Sequence, residues 1–461
     1  MPSDKTVLLC SCERTMPRPV EAVARGCGAQ VIEADQLCGA ELDRFGAALA
    51  AGGTIVVGCA LKAPLFQEVA DENGFAGALA FANLREGAGW SDQAAAAGPK
   101  AAAMTAAAMV AAPPVALAPA RSEGVALILG ADDAAVEAAA RLADHLNVTV
   151  LLTPGAEVAA PGRADFPVMQ GRARNATGAL GRFEVTVDMF AAPAPSSRGA
   201  LRFGPSRDGA VSKCDLIVDL TGGRPLFPDG LRDGYVRADP RSAAAVAQAT
   251  LQASQLVGEF DRPRFITFDA GLCAHNRSRI TGCTRCLDLC PAGAIATGRN
   301  SVSIDPEVCA GCGQCAAACP TGAASYALPP AGTIVSRLRE AMRAWRAAGG
   351  GADALILLHD QRHGAPLIDA LAHHGAGLPA RAIPLEVNEI TQVGPEILAA
   401  ALAFGAAHVR LLAPARPRHD IAGLRATLNL VQDVARRLGY GDRAVSLIET
   451  DDPEAVRTLL D

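Results

Sequence analysis

Eight of the fourteen cysteines of this 461-residue chain fall between residues 273 and 319, and none follows 319. Clustered thiols in a chain without an export signal point to metal ligands or redox groups rather than disulfides. The later half of the cluster reads Cys309-x2-Cys312-x2-Cys315-x3-Cys319-Pro320. The earlier half reads Cys273-x9-Cys283-x2-Cys286-x3-Cys290-Pro291, its first cysteine displaced upstream by the insertion AHNRSRITG. Cys-Pro-Ala-Gly at 290–293 answers Cys-Pro-Thr-Gly at 319–322, so the halves are an internal repeat.

The chemistry implied is cubane ligation. Three cysteines two residues apart wrap one 4Fe–4S cube, and the fourth leaves to ligate the other. Cys273, Cys283, Cys286 and Cys319 are expected to hold one cluster, and Cys309, Cys312, Cys315 and Cys290 the second. Small residues beside them (Gly282, Ala310, Gly311, Gly313, Ala316, Ala317) let backbone N–H groups approach the sulfurs and tune the potential. Zinc is the competing reading of any C-x2-C pair. Two interlocked quartets, each closed by Cys-Pro, favour iron–sulfur clusters. Cys273 has a second reading, a buried free thiol, because of its spacing. Over about 60 residues the stretch resembles the dicluster bacterial ferredoxins.

Four further cysteines stand at strand ends near the N-terminus. Apolar runs Thr6–Leu9, Gln30–Glu33 and Thr54–Val57 predict strands, with helices around Arg18–Arg25 and Glu41–Ala51. The β-α-β-α-β order implies a parallel sheet. Cys10 and Cys12 follow the first strand, Cys38 the second and Cys59 the third. In such sheets ligands gather beyond the carboxyl ends of the strands. A third cluster site and a scattering of small core residues both fit that spacing.

The segments VLLCSCERT, DQLCGAEL, VVGCALKAPLFQEVADENG and FANLREGAGW resemble the N-terminal domain of the heterodisulfide reductase A subunit family. The matching positions are Cys10, Cys12, Cys38, Cys59 and Ala82–Glu86. The resemblance implies a 4Fe–4S cluster held there. Ala60-Leu61-Lys62 departs from the family's polar turn. Cys27 has no counterpart and reads as structural.

The alanine-rich stretch 94–112 reads as a helix ended by Pro113-Pro114. Gly98, Pro99 and Lys100 interrupt it, and it is too weakly apolar to span a membrane. Residues 125–152 read as strand, turn, helix, strand, the opening of a Rossmann unit. The glycine fingerprint is absent: Gly130 is followed by Asp132 and Ala135 where two glycines belong. Asp132 and Asp133 put negative charge where a pyrophosphate would sit. The related family binds FAD in the corresponding domain; the sequence here argues against FAD. Cys214–Leu220 reads as a closing strand, with Cys214 a core residue at its start.

After the cysteine module, strands are predicted at Ala354–Leu358, Ala382–Val387, His408–Leu412 and Ala444–Ile448. They form a flavodoxin-like layer that loosely resembles the delta subunit of methyl-viologen-reducing hydrogenase, without that family's cysteines. Two polar groups, His359-Asp360-x-x-His363 and Arg416-Pro-Arg418-His419, fit either a metal or anion site or a solvated loop.

The expected fold class is α/β multidomain: parallel Rossmann-like layers with an inserted dicluster ferredoxin module. The expected domains are 1–93, a helix and linker at 94–122, 123–262, 263–330 and 331–461. A formal net charge of −6 provides no basic field for nucleic acid. A cytoplasmic electron carrier follows, serving a dehydrogenase, hydrogenase or molybdenum enzyme and a soluble carrier, with no catalytic residues of its own. The alternatives are an FAD-containing electron-bifurcating subunit and a maturation or scaffold factor.

Overall fold

The computed structural model describes residues 4–160, 165–228, 231–277 and 280–460. It divides into two compact units. The first joins residues 1–114 to 312–461, and the second is 115–311.

The first unit contains two four-stranded parallel sheets. The N-terminal sheet comprises β1 (Lys5–Cys10), β2 (Gln30–Ala34), β3 (Thr54–Val57) and β4 (Ala78–Phe81), in the order β2-β1-β3-β4. Its helices are α1 (Val20–Cys27), α2 (Leu42–Ala51), α3 (Ala63–Glu72) and α4 (Gly98–Ala108). The C-terminal sheet comprises β5 (Leu355–Asp360), β6 (Ala382–Val387), β7 (His408–Ala413) and β8 (Val445–Glu449), in the equivalent order β6-β5-β7-β8. It is flanked by α5 (Ala331–Ala347), α6 (Gly364–His374), α7 (Pro395–Ala403), α8 (Ala422–Arg437) and α9 (Pro453–Leu460). The near-continuous apolar runs of these strands suit a sheet covered on both faces.

One hydrophobic core runs through both layers, from Val7, Val23 and Val56 to Ile356, Ile383 and Val409. Helices α1, α4 and α5 supply its middle, with α4 packed on α5. The small residues of α4 allow the close approach. Gly98, Pro99 and Lys100 do not break this helix as the sequence suggests; they form its first turn, with proline in the position where a missing N–H costs nothing. Lys100 is fully buried and donates to the carbonyls of Leu378 and Pro379, 3.1 and 2.9 Å away. Burial pulls its ammonium pKa down to about 7.

In the second unit a seven-stranded sheet contains the expected strand–helix–strand opening at Val125–Gly130, Asp133–Leu142 and Asn147–Leu152. Leu216–Leu220 and Tyr235–Arg237 extend the parallel part. Val168–Thr177 continues it on the other side, and Phe183–Ala191 and Ala210–Cys214 add an antiparallel flank. Cys214 therefore ends one strand rather than starting the next. The break is Asp215, whose carboxylate accepts the N–H groups of Glu123 and Val125. Asp132 caps the Rossmann helix by accepting from the Ala134 N–H, 3.1 Å away. The α/β multidomain class is what the sequence implies. No described helix is long and apolar enough to cross a membrane.

Candidate iron–sulfur sites

The cysteines of residues 273–319 are placed by both units. In the second, Cys273 is buried, residues 278–279 of the insertion lie outside the described residues, and His275 faces Cys283. The His275 ring nitrogen Nδ1 stands 2.7 Å from the Cys283 carbonyl, and the Gly282 N–H donates to the His275 carbonyl at 2.7 Å. Cys286 rides a short helix, Arg285–Leu289, and Cys290 ends it. The Ala294 N–H donates to Cys290 Sγ at 3.3 Å. Cys290 and Cys309 share an apolar nest of Ala179, Ala294 and Val308. Burial pushes the Cys309 thiol pKa up, and the neighbouring Cys290 adds to the rise. This segment is fixed to its sheet by Arg232, which donates to the Gly178 and Ala292 carbonyls, and by the Arg182–Asp305 pair at 2.8 Å.

Cys312, Cys315 and Cys319 belong to the first unit. Gly311 and Gly313 both have positive φ, +74° and +79°. A side chain at Gly313 would strike Gln392, so glycine is required there twice over. Thr391 donates to the Cys312 carbonyl at 2.6 Å, and Gln314 donates to the Asp420 carbonyl at 2.9 Å. Cys319 is favoured as a thiolate. Partial burial opposes this, but the N–H groups of Ala324, Thr321 and Ala323 and the Thr321 hydroxyl outweigh it.

The two polar motifs of the C-terminal sheet are engaged by neighbours. His363 Nε2 lies 3.1 Å from Asp451, Arg418 pairs with Glu389 at 2.9 Å, and His419 stands 3.2 Å from Gln314.

The other candidate lies at the carboxyl ends of the N-terminal strands. Cys10, Cys12, Cys38 and Cys59 together line one cavity of about 120 Å³. β1 and β3 flank the point where strand order reverses, the usual place for a ligand in such sheets. After β1 the backbone turns through three successive non-glycine residues with positive φ: Cys12, Glu13 and Arg14. Each costs on the order of 1 kcal/mol, so the turn is held by other contacts. The Ser11 hydroxyl donates to Asp35 and accepts from the Arg14 N–H, and Arg14 and Arg18 pair with Asp35. The Ser11 hydrogen bond and the two arginines hold the Asp35 carboxyl below the usual carboxylate range. Glu41 accepts the Asp35 and Gln36 N–H groups and so shapes the loop that carries Cys38.

Donors already face these sulfurs. The N–H groups of Cys12 and Leu37 reach Cys10 Sγ at 3.3 and 3.4 Å. Arg85 Nη1 stands 3.6 Å from Cys12 Sγ. The guanidinium of Arg85 is braced by Glu86 and lies 4.3 Å over the Trp90 ring. Arg85–Gly89 forms one π-helical turn, a local geometry frequent at functional sites. Burial chiefly raises the Cys59 thiol pKa, against the lowering pull of the Lys62 backbone hydrogen bond and the Arg85 charge. A cavity walled by four sulfurs, with N–H and guanidinium donors aimed at two of them, fits a tetrathiolate cluster. The sequence places Arg85 in a motif but gives it no role, because its contact with Cys12 depends on the left-handed turn.

None of the fourteen cysteines forms a disulfide. Cys27 and Cys214 are buried, and burial pushes both up to about 12, as befits core residues. Among the described residues no three His, Cys, Asp or Glu side chains gather tightly enough to hold a single metal ion. A cubane spreads its four thiolates around a cage, so it does not require that convergence.

No curated protein matches the chain. Residues 280–323 match the 4Fe-4S dicluster domain family. This stretch is a ferredoxin-type iron–sulfur module, and the chemistry it brings to the chain is electron transfer.

Proposed function

We propose that the chain is a three-cluster electron relay of the cytoplasm, passing electrons to or from a partner oxidoreductase. Cys273, Cys283, Cys286 and Cys319 would hold one 4Fe–4S cluster, and Cys290, Cys309, Cys312 and Cys315 a second. The nearness of Cys290 to Cys309 supports the interlocked assignment. Cys10, Cys12, Cys38 and Cys59 would hold the third. The observation that carries this reading is their convergence on one cavity. It also supports kinship of residues 5–112 with the N-terminal domain of the heterodisulfide reductase A subunit family. Each cluster, when bound, supplies a one-electron step. The protein's part is to hold the thiolates, keep water from Cys59 and place donors at Cys10, Cys12 and Cys319. Fourteen cysteines with no disulfide among them suit a reducing compartment. Docking to a dehydrogenase, hydrogenase or molybdenum enzyme, or to a soluble carrier, would supply or take up the electrons of such a relay.

The test is iron, acid-labile sulfide and flavin on anaerobically purified protein. About 12 iron and 12 sulfide per chain without flavin are expected. About 8 of each would leave the N-terminal cavity without a cluster. Stoichiometric FAD would move the protein to the flavoenzymes.

A further inference from the structure

The earlier half of the cysteine module is basic in an acidic chain. Residues 273–299 hold four arginines and one acid, Asp288, against a formal net charge of −6 for the whole. Residues 309–326, the later half, hold no charged side chain. A guanidinium has no lone pair to offer iron, so the charge serves something other than ligation. Arg277, Arg285 and Arg299 are exposed, and none forms an ion pair among the described residues. Arg279, outside the described residues, adds charge to the sequence and nothing to the geometry. The acids nearby are engaged elsewhere: Asp288 accepts from the Thr284 hydroxyl and Asp269 from the Gly271 N–H, both at 2.8 Å. Asn276 donates from Nδ2 to the Gly298 carbonyl at 3.3 Å. That bond joins the inserted loop to the turn between Ile295–Thr297 and Val302–Ile304, so Arg277 and Arg299 stand on adjoining turns. Two large apolar side chains are exposed in the same segment, Leu272 at 49 % and Ile280 at 72 %.

The two halves also differ in cover. Gln314 and Cys315 of the later half are buried, and Thr391 and the Asp420 carbonyl hold that loop. Cys283 and Cys286 are half-buried, and Thr281, Gly282, Thr284 and Arg285 around them are exposed. A partner can therefore come close to this loop. Unpaired arginines beside exposed aliphatic side chains suit a protein interface. Single-stranded nucleic acid would want aromatic side chains for its bases, and residues 269–299 contain no Phe, Tyr or Trp. We propose that this surface docks an acidic one-electron carrier protein, its carboxylates on Arg277, Arg285 and Arg299 and its apolar contact on Leu272 and Ile280. Opposite charge steers the encounter, and the carrier gains or loses the one electron that the adjoining cluster loses or gains. The proposal rests on the relay reading, which puts a cluster on Cys283 and Cys286, and names where its carrier sits.

The test is binding of the full-length, anaerobically purified protein to an immobilised plant-type 2Fe–2S ferredoxin, an acidic one-electron carrier, at about 20 and about 300 mM salt. Saturable binding is expected at the lower salt and at least about tenfold weaker binding at the higher. Arg277→Glu with Arg299→Glu should weaken it at least about tenfold at low salt, with iron content unchanged. Ile280→Ser should weaken it at both salts alike, since salt does not screen an apolar contact. No saturable binding at low salt, or binding indifferent to salt and to the arginine pair, would overturn the proposal. Equal affinity for a double-stranded DNA oligonucleotide would also overturn it, by making the patch a general polyanion site. Iron on Cys283→Ala tests the relay reading by itself. A loss of about four iron per chain is expected; unchanged iron would take the cluster, and with it the reason for a carrier, out of this loop.

Discussion

The two sheets of the first unit share one strand order and differ in what stands at their carboxyl ends. Beyond β1, β2 and β3 the N-terminal sheet places Cys10, Cys12, Cys38 and Cys59 around a cavity. At the matching ends of β5, β6, β7 and β8 the C-terminal sheet places Asp360, Glu389, Arg418 and Asp451. There the charges answer one another: Asp360 caps α6 through the His363 and Gly364 N–H groups, Arg418 pairs with Glu389, and His363 meets Asp451. The thiols at the first set of ends have few such partners. The lesson is that the sheet supplies positions and the loops supply chemistry. One crest leaves four thiols around a cavity. The other is satisfied internally and clasps the segment that carries Cys312 and Cys315.

The sharpest way to break that contrast is to remove thiols from one crest and imidazoles from the other. Cys10→Ala with Cys12→Ala should lower iron from about 12 to about 8 per chain. His363→Ala should leave iron unchanged. Equal iron in the double-cysteine variant and the native protein would assign no cluster to the N-terminal crest.

The next effect concerns what couples the sheets. Lys100 of α4 ties the N-terminal half to the Leu378 and Pro379 carbonyls just before β6. Its folded pKa of about 7 lies below the ordinary 10.5. Between those values the unfolded chain binds more protons than the folded one, so stability rises with pH across that window. Below about 7 both states carry the charge, and the burial penalty is complete. The neutral amine keeps two N–H donors for the two carbonyls. Denaturation midpoints should therefore climb from pH 7 towards 10, on the order of 3 kcal/mol in all, and Lys100→Met should flatten that rise.

Much of this was legible in the sequence, and the remainder depended on long-range contacts. Seven of the eight strands in the two sheets of the first unit follow from apolar runs such as Ala382–Val387, which the structure reproduces without a shift; β4 (Ala78–Phe81) falls outside the expected set. The spacing of Cys309, Cys312, Cys315 and Cys319 sufficed to identify the iron–sulfur module. The antiparallel flank at 183–191 and 210–214 is missing from the expected strands, although its polar–apolar alternation and the Gly178 and Gly181 turn ahead of it are hairpin signals. Lys100 read as an interruption because its burial depends on carbonyls some 280 positions away. The gathering of Cys12 with Cys38 and Cys59 depends on left-handed backbone at three residues whose types do not favour it.

Arg85 sharpens the contrast from the other direction, since its guanidinium is set against the Cys12 thiol of the N-terminal crest. Held by Trp90 and Glu86, it should favour the more negative, reduced state of a bound cluster. Arg85→Gln is expected to lower the potential of one cluster by about 60 mV, a tenfold change for one electron. Redox titration followed by electron paramagnetic resonance would read it. An unchanged potential for every cluster would mean that Arg85 only braces the loop.

The smallest effect probes the clasp itself. Thr391 is buried, and its hydroxyl donates to the Cys312 carbonyl. Thr391→Val keeps the shape and removes the donor, which should cost about 1 kcal/mol in denaturant midpoint. Thr391→Ser should restore most of it. Iron release to a chelator should then quicken for the dicluster module and not for the N-terminal crest. If both pools are released faster together, the clasp is instead a general support of the first unit, and the division of labour between its two sheets is weaker than their side chains imply.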